Sequence, residues 1–460
     1  GHYTISKPDE TQTYADVLAN INKRFNDFSL VANVGASIVN NRYEDLSYRG
    51  PIREKGIPNV FNVFDLDNTK KKARQDEWQE QTQSIFASVE VGWKSMLYLT
   101  LTGRNDWASQ LANSSTPCFF YPSVGLSGVI SEMLTLPEFI DYMKVRGSFS
   151  SVGMPYPRNL TSPTYEYDEA NQQWKPKTHY PIKDLKPERT NSWELGLDMR
   201  LFKDFSLGFS WYLANTFNQT FDPKVSVSSG YSKIYLQTGY VRNSGVELSL
   251  GYGHTWNNHL HWESNFTLSH NKNTIKDLVT SYIHPETGLP ITQNRLDVGG
   301  LGKARFILKK GGTLGDLYTQ SDLKRDNSGM VEIDPSGALT TEDNLPDIKL
   351  GSVFPKANLA WNNRFEWRGI SLSALFTARI GGIAYSATQA AMDQYGVSER
   401  SAQARDNGGV LLNGRTLVDA QTYYSLIGNS SGLPQYYTYS ATNVRLQEAS
   451  VGYTIPRKWL

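Results

Sequence analysis

Apolar and polar residues alternate strictly along many stretches of this chain, and these stretches are joined in turn by very short and very long polar connections. Residues 13–25 and 28–40 meet across Asn26-Asp27, and residues 83–93 and 96–106 across Lys94-Ser95. The rhythm returns at 192–201 and 205–217, at 246–256 and 260–271, and at 357–367 and 370–380. Successive side chains of a strand point to opposite faces, so each stretch reads as a β-strand with one apolar and one polar face. In 192–201 the apolar face carries Trp193, Leu195, Leu197 and Met199, and the reverse carries Ser192, Glu194, Gly196, Asp198 and Arg200. Further strands are expected at 120–130, 143–152 and 444–455, and 240–243 merges into the strand at 246, giving thirteen. Residues 131–142 read as a short helical or turn-like connector, and 272–355 has room for another hairpin near 304–308 and 314–318.

Strands of this length exceed the five or six residues usual in soluble sheets. Large aromatics, namely Trp93, Phe202, Phe205, Trp256, Trp262 and Trp367, sit beside the short turns, where the interfacial girdle of a membrane barrel belongs. A soluble β-sandwich also alternates, but would have to bury those rings in a core its charged reverse face cannot supply. The pattern therefore predicts an all-β, transmembrane, antiparallel up-and-down β-barrel with short periplasmic turns and long extracellular loops. Single-chain bacterial barrels close with an even number of strands, so thirteen points to part of a barrel.

Composition agrees. The 460 residues include 26 Tyr, 19 Phe and 11 Trp, yet mean hydropathy is only −0.47. Alternating strands evade a hydropathy scan because only one face is apolar. Lys and Arg number 46 against 45 Asp and Glu, a net charge of +1, which gives no electrostatic case for nucleic acid. The single Cys118 excludes an internal disulfide and a cysteine zinc site. Gly1-His2-Tyr3-Thr4 has neither the charged nor the apolar segment of a secretion signal, and the chain is expected to be an internal piece of a longer polypeptide.

Candidate chemistry is sparse. His254, His259 and His261 flank a short turn without a completing carboxylate or Cys cluster, and read as solvated turn residues. Asp326-Asn327-Ser328-Gly329 and Asp334-Pro335-Ser336-Gly337 miss the calcium-loop spacing and read as Asx turns. Gly299-Gly300-Leu301-Gly302-Lys303 is not a phosphate-binding loop, and no GxSxG or HExxH string occurs. No catalytic residue, metal site or cofactor is expected. Loop aromatics Tyr165, Tyr167, Trp174, Tyr385, Tyr395, Tyr436 and Tyr437 are candidates for gripping a ligand or a partner, since their flat faces and polar edges suit sugar rings and interfaces. The plainer reading is that they pack the loops together. Arg104, Asp106, Glu194, Asp198, Arg200 and Glu247 are expected on the lumen face, because an Arg facing lipid costs ~2–4 kcal/mol at the midplane.

Several strings, in order along the chain, resemble the SusC/RagA-type TonB-dependent outer-membrane transporters. Tyr121-Pro122-Ser123-Val124-Gly125 and Ile130-Ser131-Glu132 are similar to one family strand and its continuation. Lys144-Val145-Arg146-Gly147-Ser148-Phe149, Leu185-Lys186-Pro187-Glu188-Arg189-Thr190 and Asn243-Ser244-Gly245-Val246-Glu247-Leu248 resemble three more. Gly312-Thr313-Leu314-Gly315-Asp316-Leu317-Tyr318 and the run from Val444 to Pro456 complete the series.

This resemblance implies part of a 22-stranded plugged barrel in the outer membrane of a Bacteroidetes-type Gram-negative bacterium. Residues 1–460 would be barrel, without the N-terminal plug and the last strands. It implies active import of nutrient oligomers, glycan oligosaccharides foremost, with a SusD-like surface lipoprotein as lid and energy passed through TonB. Expected partners are thus that lipoprotein, TonB, outer-membrane lipids and a glycan or peptide substrate. A RagA-type peptide importer and a siderophore or cobalamin receptor are the alternatives within the class, and an outer-membrane barrel enzyme is the alternative outside it.

Overall fold

The computed structural model describes residues 1–54, 59–154, 157–160, 166–168, 172–175, 186–221, 236–256, 259–283 and 290–455. Thirteen strands form one antiparallel sheet whose hydrogen-bonded order follows the chain. They are β1 (His2–Phe25), β2 (Phe28–Pro51), β3 (Lys72–Trp93), β4 (Leu97–Ala108), β5 (Cys118–Val129), β6 (Ile140–Met154) and β7 (Glu188–Leu201), then β8 (Phe205–Phe221), β9 (Leu236–Trp256), β10 (Leu260–Asp277), β11 (Ala357–Trp367), β12 (Ile370–Ile380) and β13 (Asn443–Tyr453). Every strand expected from the alternation is present. The chain divides into two compact units, residues 1–126 with 150–189, and residues 127–149 with 190–460.

In the first unit β1 and β2 pair from Phe25↔Phe28 out to His2↔Pro51, starting eleven residues before the expected strand. Residues 2–12 hide this extension because Lys7, Pro8, Asp9 and Glu10 give them no apolar face. The second short turn is three residues and not two: β3 ends at Trp93 and β4 starts at Leu97, with Lys94 and Ser95 at φ 51° and 58°. Ser37, Ser84 and Asp106 stand side by side on one face, and all three are buried. Ile85, Leu99 and Leu101 on the other face are exposed.

The second unit shows the same inversion more fully. Across β8 to β13 one register row reads Phe209, Leu248, Leu268, Leu359, Ala378 and Val444. The rows on either side point to the opposite face. One reads Ser210, Glu247, Ser269, Asn358, Arg379 and Asn443, the other Gly208, Ser249, Thr267, Ala360, Thr377 and Arg445. On β7, Trp193 and Leu195 are 54% and 56% exposed. A wall whose outward rows are this apolar needs lipid or a partner against it, since soluble monomers seldom expose such continuous apolar area.

The edge beside the short turns is a chain of touching rings. Phe139 stacks on Phe202 at 5.5 Å, Phe205 meets Tyr252 at 4.7 Å, Tyr252 meets Trp262 at 5.1 Å, and Trp262 stacks on Phe365 at 5.6 Å. Of the aromatics expected at these turns, Phe202, Phe205, Trp256 and Trp262 join these ring contacts, while Trp93 and Trp367 lie instead beside the cations of Lys94 and Arg368. No helix among the described residues is long and apolar enough to cross a membrane, which says nothing of strands. The connector after β5 holds one short helix, α1 (Ile130–Met133).

Candidate functional site

The long connections after β10 and after β12 carry structure of their own. The first contains antiparallel strands Arg295–Leu301, Ala304–Lys309, Asp316–Thr319 and Ile348–Ser352. The expected hairpin near 304–308 and 314–318 is there, paired through Arg305↔Tyr318, but it belongs to this four-stranded sheet and not to the wall. The second connection holds α2 (Ala387–Gln394), α3 (Glu399–Asp406) and α4 (Ala420–Ile427). Each begins on a side chain that accepts a backbone N–H: Ser386 from Gln389, Ser398 from Ser401 and Asp419 from Thr422.

The two loops share one core. Leu323, Val331 and Leu339 of the first pack with Ala390, Val418, Ile427, Leu433 and Tyr437 of the second. Asn413, left-handed in the turn of a small hairpin, accepts from Val331 N at 2.9 Å and donates to Val331 O at 2.9 Å. Asp393 is buried at the centre of the second loop, held by Arg400 Nε at 2.7 Å and by Gln389 Nε2 at 3.0 Å, with Ser398 also donating. Burial alone would raise the Asp393 carboxyl, but the Arg400 and Ser398 hydrogen bonds outweigh it and hold the carboxyl low.

This core decides where the candidate aromatics stand. Tyr437 is 0% exposed and Tyr436 is half-buried, its hydroxyl donating to Asp322 at 3.3 Å. Burial pushes both phenols up. Tyr385 donates its hydroxyl to the Ser431 carbonyl. These three hold the loops together, and Tyr437 has no surface to offer a ligand. Tyr395 is 77% exposed and remains available. Tyr165 lies outside the described residues. Tyr167 and Trp174 are backbone register partners in a short hairpin, Glu166–Asp168 with Gln173–Lys175. The Asx turns at Asp326 and Asp334 are as expected, each carboxylate accepting from the backbone and hydroxyl of a serine two residues on.

The candidate charges all lie on the polar face. In the first unit Arg104 Nε donates to Asp106 at 2.6 Å and its Nη2 to Ser84 at 2.8 Å. In the second, Glu194 pairs with Arg146 at 3.2 Å, and Arg146 also donates to Ser210 at 2.6 Å. Asp198 lies over Gly208. Asp198, Ser210, Glu247, Ser249, Thr267 and Ser269 line one side of a recess of about 740 Å³. Arg379 and Arg445 line the other, with Asn358 and Thr377 between. Arg200 is exposed and does not line it. Nothing in the alternation singles out Arg146, Arg379 or Arg445 as site residues, although Arg379 falls on the polar register of its strand. Of the turn histidines, His254 pairs with Asp204 at 2.8 Å and His261 with Thr255 at 2.9 Å. Among the described residues no cluster of three potential metal ligands gathers.

A family model described as TonB dependent receptor-like, beta-barrel, matches residues 2–445. TonB-dependent receptor P3 of Formosa agariphila is 21% identical, over all of this chain and 47% of its own length. TonB-dependent receptor P39 of the same organism is 23% identical, over 70% of this chain and 30% of its own length. Among solved structures, one titled as the RagAB peptide transporter superposes with a TM-score of 0.73 at 16% identity, covering 99% of this chain and 50% of that one. The RagAB importer in its open-open state superposes with a TM-score of 0.67 at 17% identity, covering all of this chain and 49% of that one. The chain thus spans half or less of the length of these relatives.

Proposed function

The chain belongs to the TonB-dependent receptor β-barrel family, and we propose that it forms barrel wall of an outer-membrane importer that takes up nutrient oligomers with energy delivered through TonB. The observation that carries this reading is the inverted wall, with continuous apolar rows on one face and continuous polar rows on the other. An apolar exterior, a ringed aromatic edge and a polar interior suit a barrel that holds a water-filled or plugged path through lipid. Members of the family are outer-membrane transporters, and catalysis forms no part of the proposal.

The interlocked loops give the long-loop side a firm platform, suited to a SusD-like surface lipoprotein acting as lid. The cargo is an oligomer of sugars or of amino acids. Exposed Tyr395 and Tyr439 offer rings of the kind that stack on sugars. The opposed charges of the recess favour the peptide instead. The test is made on the full-length protein in its own cells. The protein is expected in the outer-membrane fraction, copurifying with a lipoprotein, and oligomer uptake is expected to stop when TonB is deleted. Recovery in the soluble fraction, or uptake indifferent to TonB, would sink the proposal.

A further inference from the structure

The small hairpin that ties the second long connection to the first holds on through one side-chain amide. Val410–Leu412 pairs with Thr416–Val418, and Asn413-Gly414-Arg415 make the turn, with Asn413 and Gly414 at φ 55° and 68°. Val418 is buried in the core the loops share, together with Val331. Val331 N donates to Asn413 Oδ1, and Asn413 Nδ2 donates to Val331 O, each at 2.9 Å. Gly414 stands in open space, with nothing within 4 Å of where a β-carbon would lie. Its N–H donates to nothing among the described residues. Asparagine before glycine is the pair in which the backbone nitrogen most readily attacks the side-chain amide, because glycine puts no side chain in the way. The chain holds one other such pair, Asn407-Gly408, just past α3. Asn407 is exposed, and among the described residues its side chain bonds to nothing.

We propose that Asn413 is a deamidation site built into the junction of the two loops, protected while they are joined and, once converted, holding them apart. With both halves of the amide bonded to Val331, its Cγ is held toward Val331 and away from the Gly414 nitrogen. Local opening of the loops releases it. Gly414 N then bonds to Asn413 Cγ, the Cγ–Nδ2 bond breaks, and the departing nitrogen takes up the Gly414 proton and leaves as ammonia. Water opens the resulting cyclic imide at either carbonyl. The product is a carboxylate, on aspartate or on isoaspartate, and a proton passes to solvent. No oxidant or reductant takes part. The group that donated to Val331 O has become an oxygen facing another oxygen, which costs the junction more than a missing bond would. Isoaspartate also adds a carbon to the backbone of the turn. Nothing in the chemistry reverses the step, so molecules whose loops have opened keep a looser junction afterwards.

The full-length protein, purified in detergent, is incubated at mildly alkaline pH, folded and in urea. Conversion at each pair is followed by peptide mass and isoaspartate content. Asn413 is expected to convert at least about tenfold more slowly folded than unfolded, a factor that two ordinary hydrogen bonds supply. Asn407, on an exposed helix end, is expected to be slowed much less. Asn413 slowed no more than Asn407 would overturn the proposal, and this comparison needs no variant to fold. Amide exchange then compares Asn413→Asp and Asn407→Asp with the unaltered protein. Asn413→Asp is expected to speed exchange in residues 324–340 and 410–418 about tenfold. Asn407→Asp adds the same charge elsewhere in the loop and is expected to leave both segments unchanged. Unchanged exchange in Asn413→Asp, as when Arg415, which rests on Met330, takes up the new carboxylate, overturns the proposal. Equal acceleration in the two variants overturns it as well.

Discussion

The phenol end of Tyr212 occupies the space a side chain on Gly245 would need. The two residues are direct cross-strand partners, and a β-carbon built on Gly245 would lie 2.5 Å from both Cζ and Oη of Tyr212. The His270 carbonyl on the next strand is closer still. Glycine is thus required here by the approach of a ring and a backbone oxygen, and its φ plays no part. Gly245→Ala should destabilise the full-length protein by ~1–3 kcal/mol, the usual range for overpacking, read as a lower urea midpoint. Adding Tyr212→Ala should recover only part of the loss, because the carbonyl stays. Full recovery would show that the ring alone sets the constraint.

Leu195 tests which face meets lipid. It lies mid-strand on β7, exposed, with Glu194 and Gly196 on the reverse face. If the apolar face contacts acyl chains, Leu195→Arg should cost ~2–4 kcal/mol and deplete the protein from the outer-membrane fraction. In a soluble sheet, an exposed leucine changed to arginine would be nearly neutral. Glu194→Gln serves as the comparison and should leave membrane assembly intact. Normal assembly of Leu195→Arg would contradict the orientation of the wall.

The wall was legible because each strand repeats one binary rule for ten or more residues, so Trp193, Leu195, Leu197 and Met199 announce a face without help from the rest of the chain. Where the polar run at Lys7 to Glu10 extends β1 with no apolar face, the rule falls silent. The loop core was illegible for a different reason. Helices α2, α3 and α4 have eight residues each, about two turns, too short for a helical period to rise above the surrounding sequence. Their starts were marked by Ser386, Ser398 and Asp419, signals that carry weight only beside a longer periodic stretch. Tyr437 looked like a surface aromatic because nothing local reveals that Leu323, about a hundred residues earlier, packs against its cluster. The recess is likewise a product of register: Glu247 and Arg379 share a row only through β10 and β11.

Asp393 and Arg400 separate the stability of the loops from that of the wall. Asp393 is 1% exposed and pairs with Arg400, whose guanidinium also lies 4.9 Å from the Tyr437 ring. Removing one member of a buried pair strands the other charge, at a typical cost of 3–5 kcal/mol. Asp393→Ala should therefore open residues 386–437 to limited proteolysis and rapid amide exchange. The wall strands, whose hydrogen bonds do not involve this loop, should keep their protection. Loss of protection across β11 and β12 as well would show that the loops and the wall unfold as one.

Asp347 gives the long connection after β10 a defined acid limit. It accepts from Arg295 Nε at 2.7 Å and Nη2 at 2.9 Å, and Lys309 stands 3.0 Å away. These contacts, Arg295 first, hold its carboxyl down to about 2 despite burial. An unfolded aspartate titrates near ~3.9. Because the folded value is the lower one, the stabilisation is complete above ~pH 5 and drains away as pH falls from there toward 2. The gap corresponds to ~2–3 kcal/mol. Amide exchange in Arg295–Leu301 and Ala304–Lys309 should therefore quicken between pH 5 and pH 3 once corrected for intrinsic rates. Asp347→Asn should exchange faster at pH 6 and show little further change on acidification, since the group that titrates is gone. An unchanged acid response in Asp347→Asn would assign the sensitivity to another carboxylate.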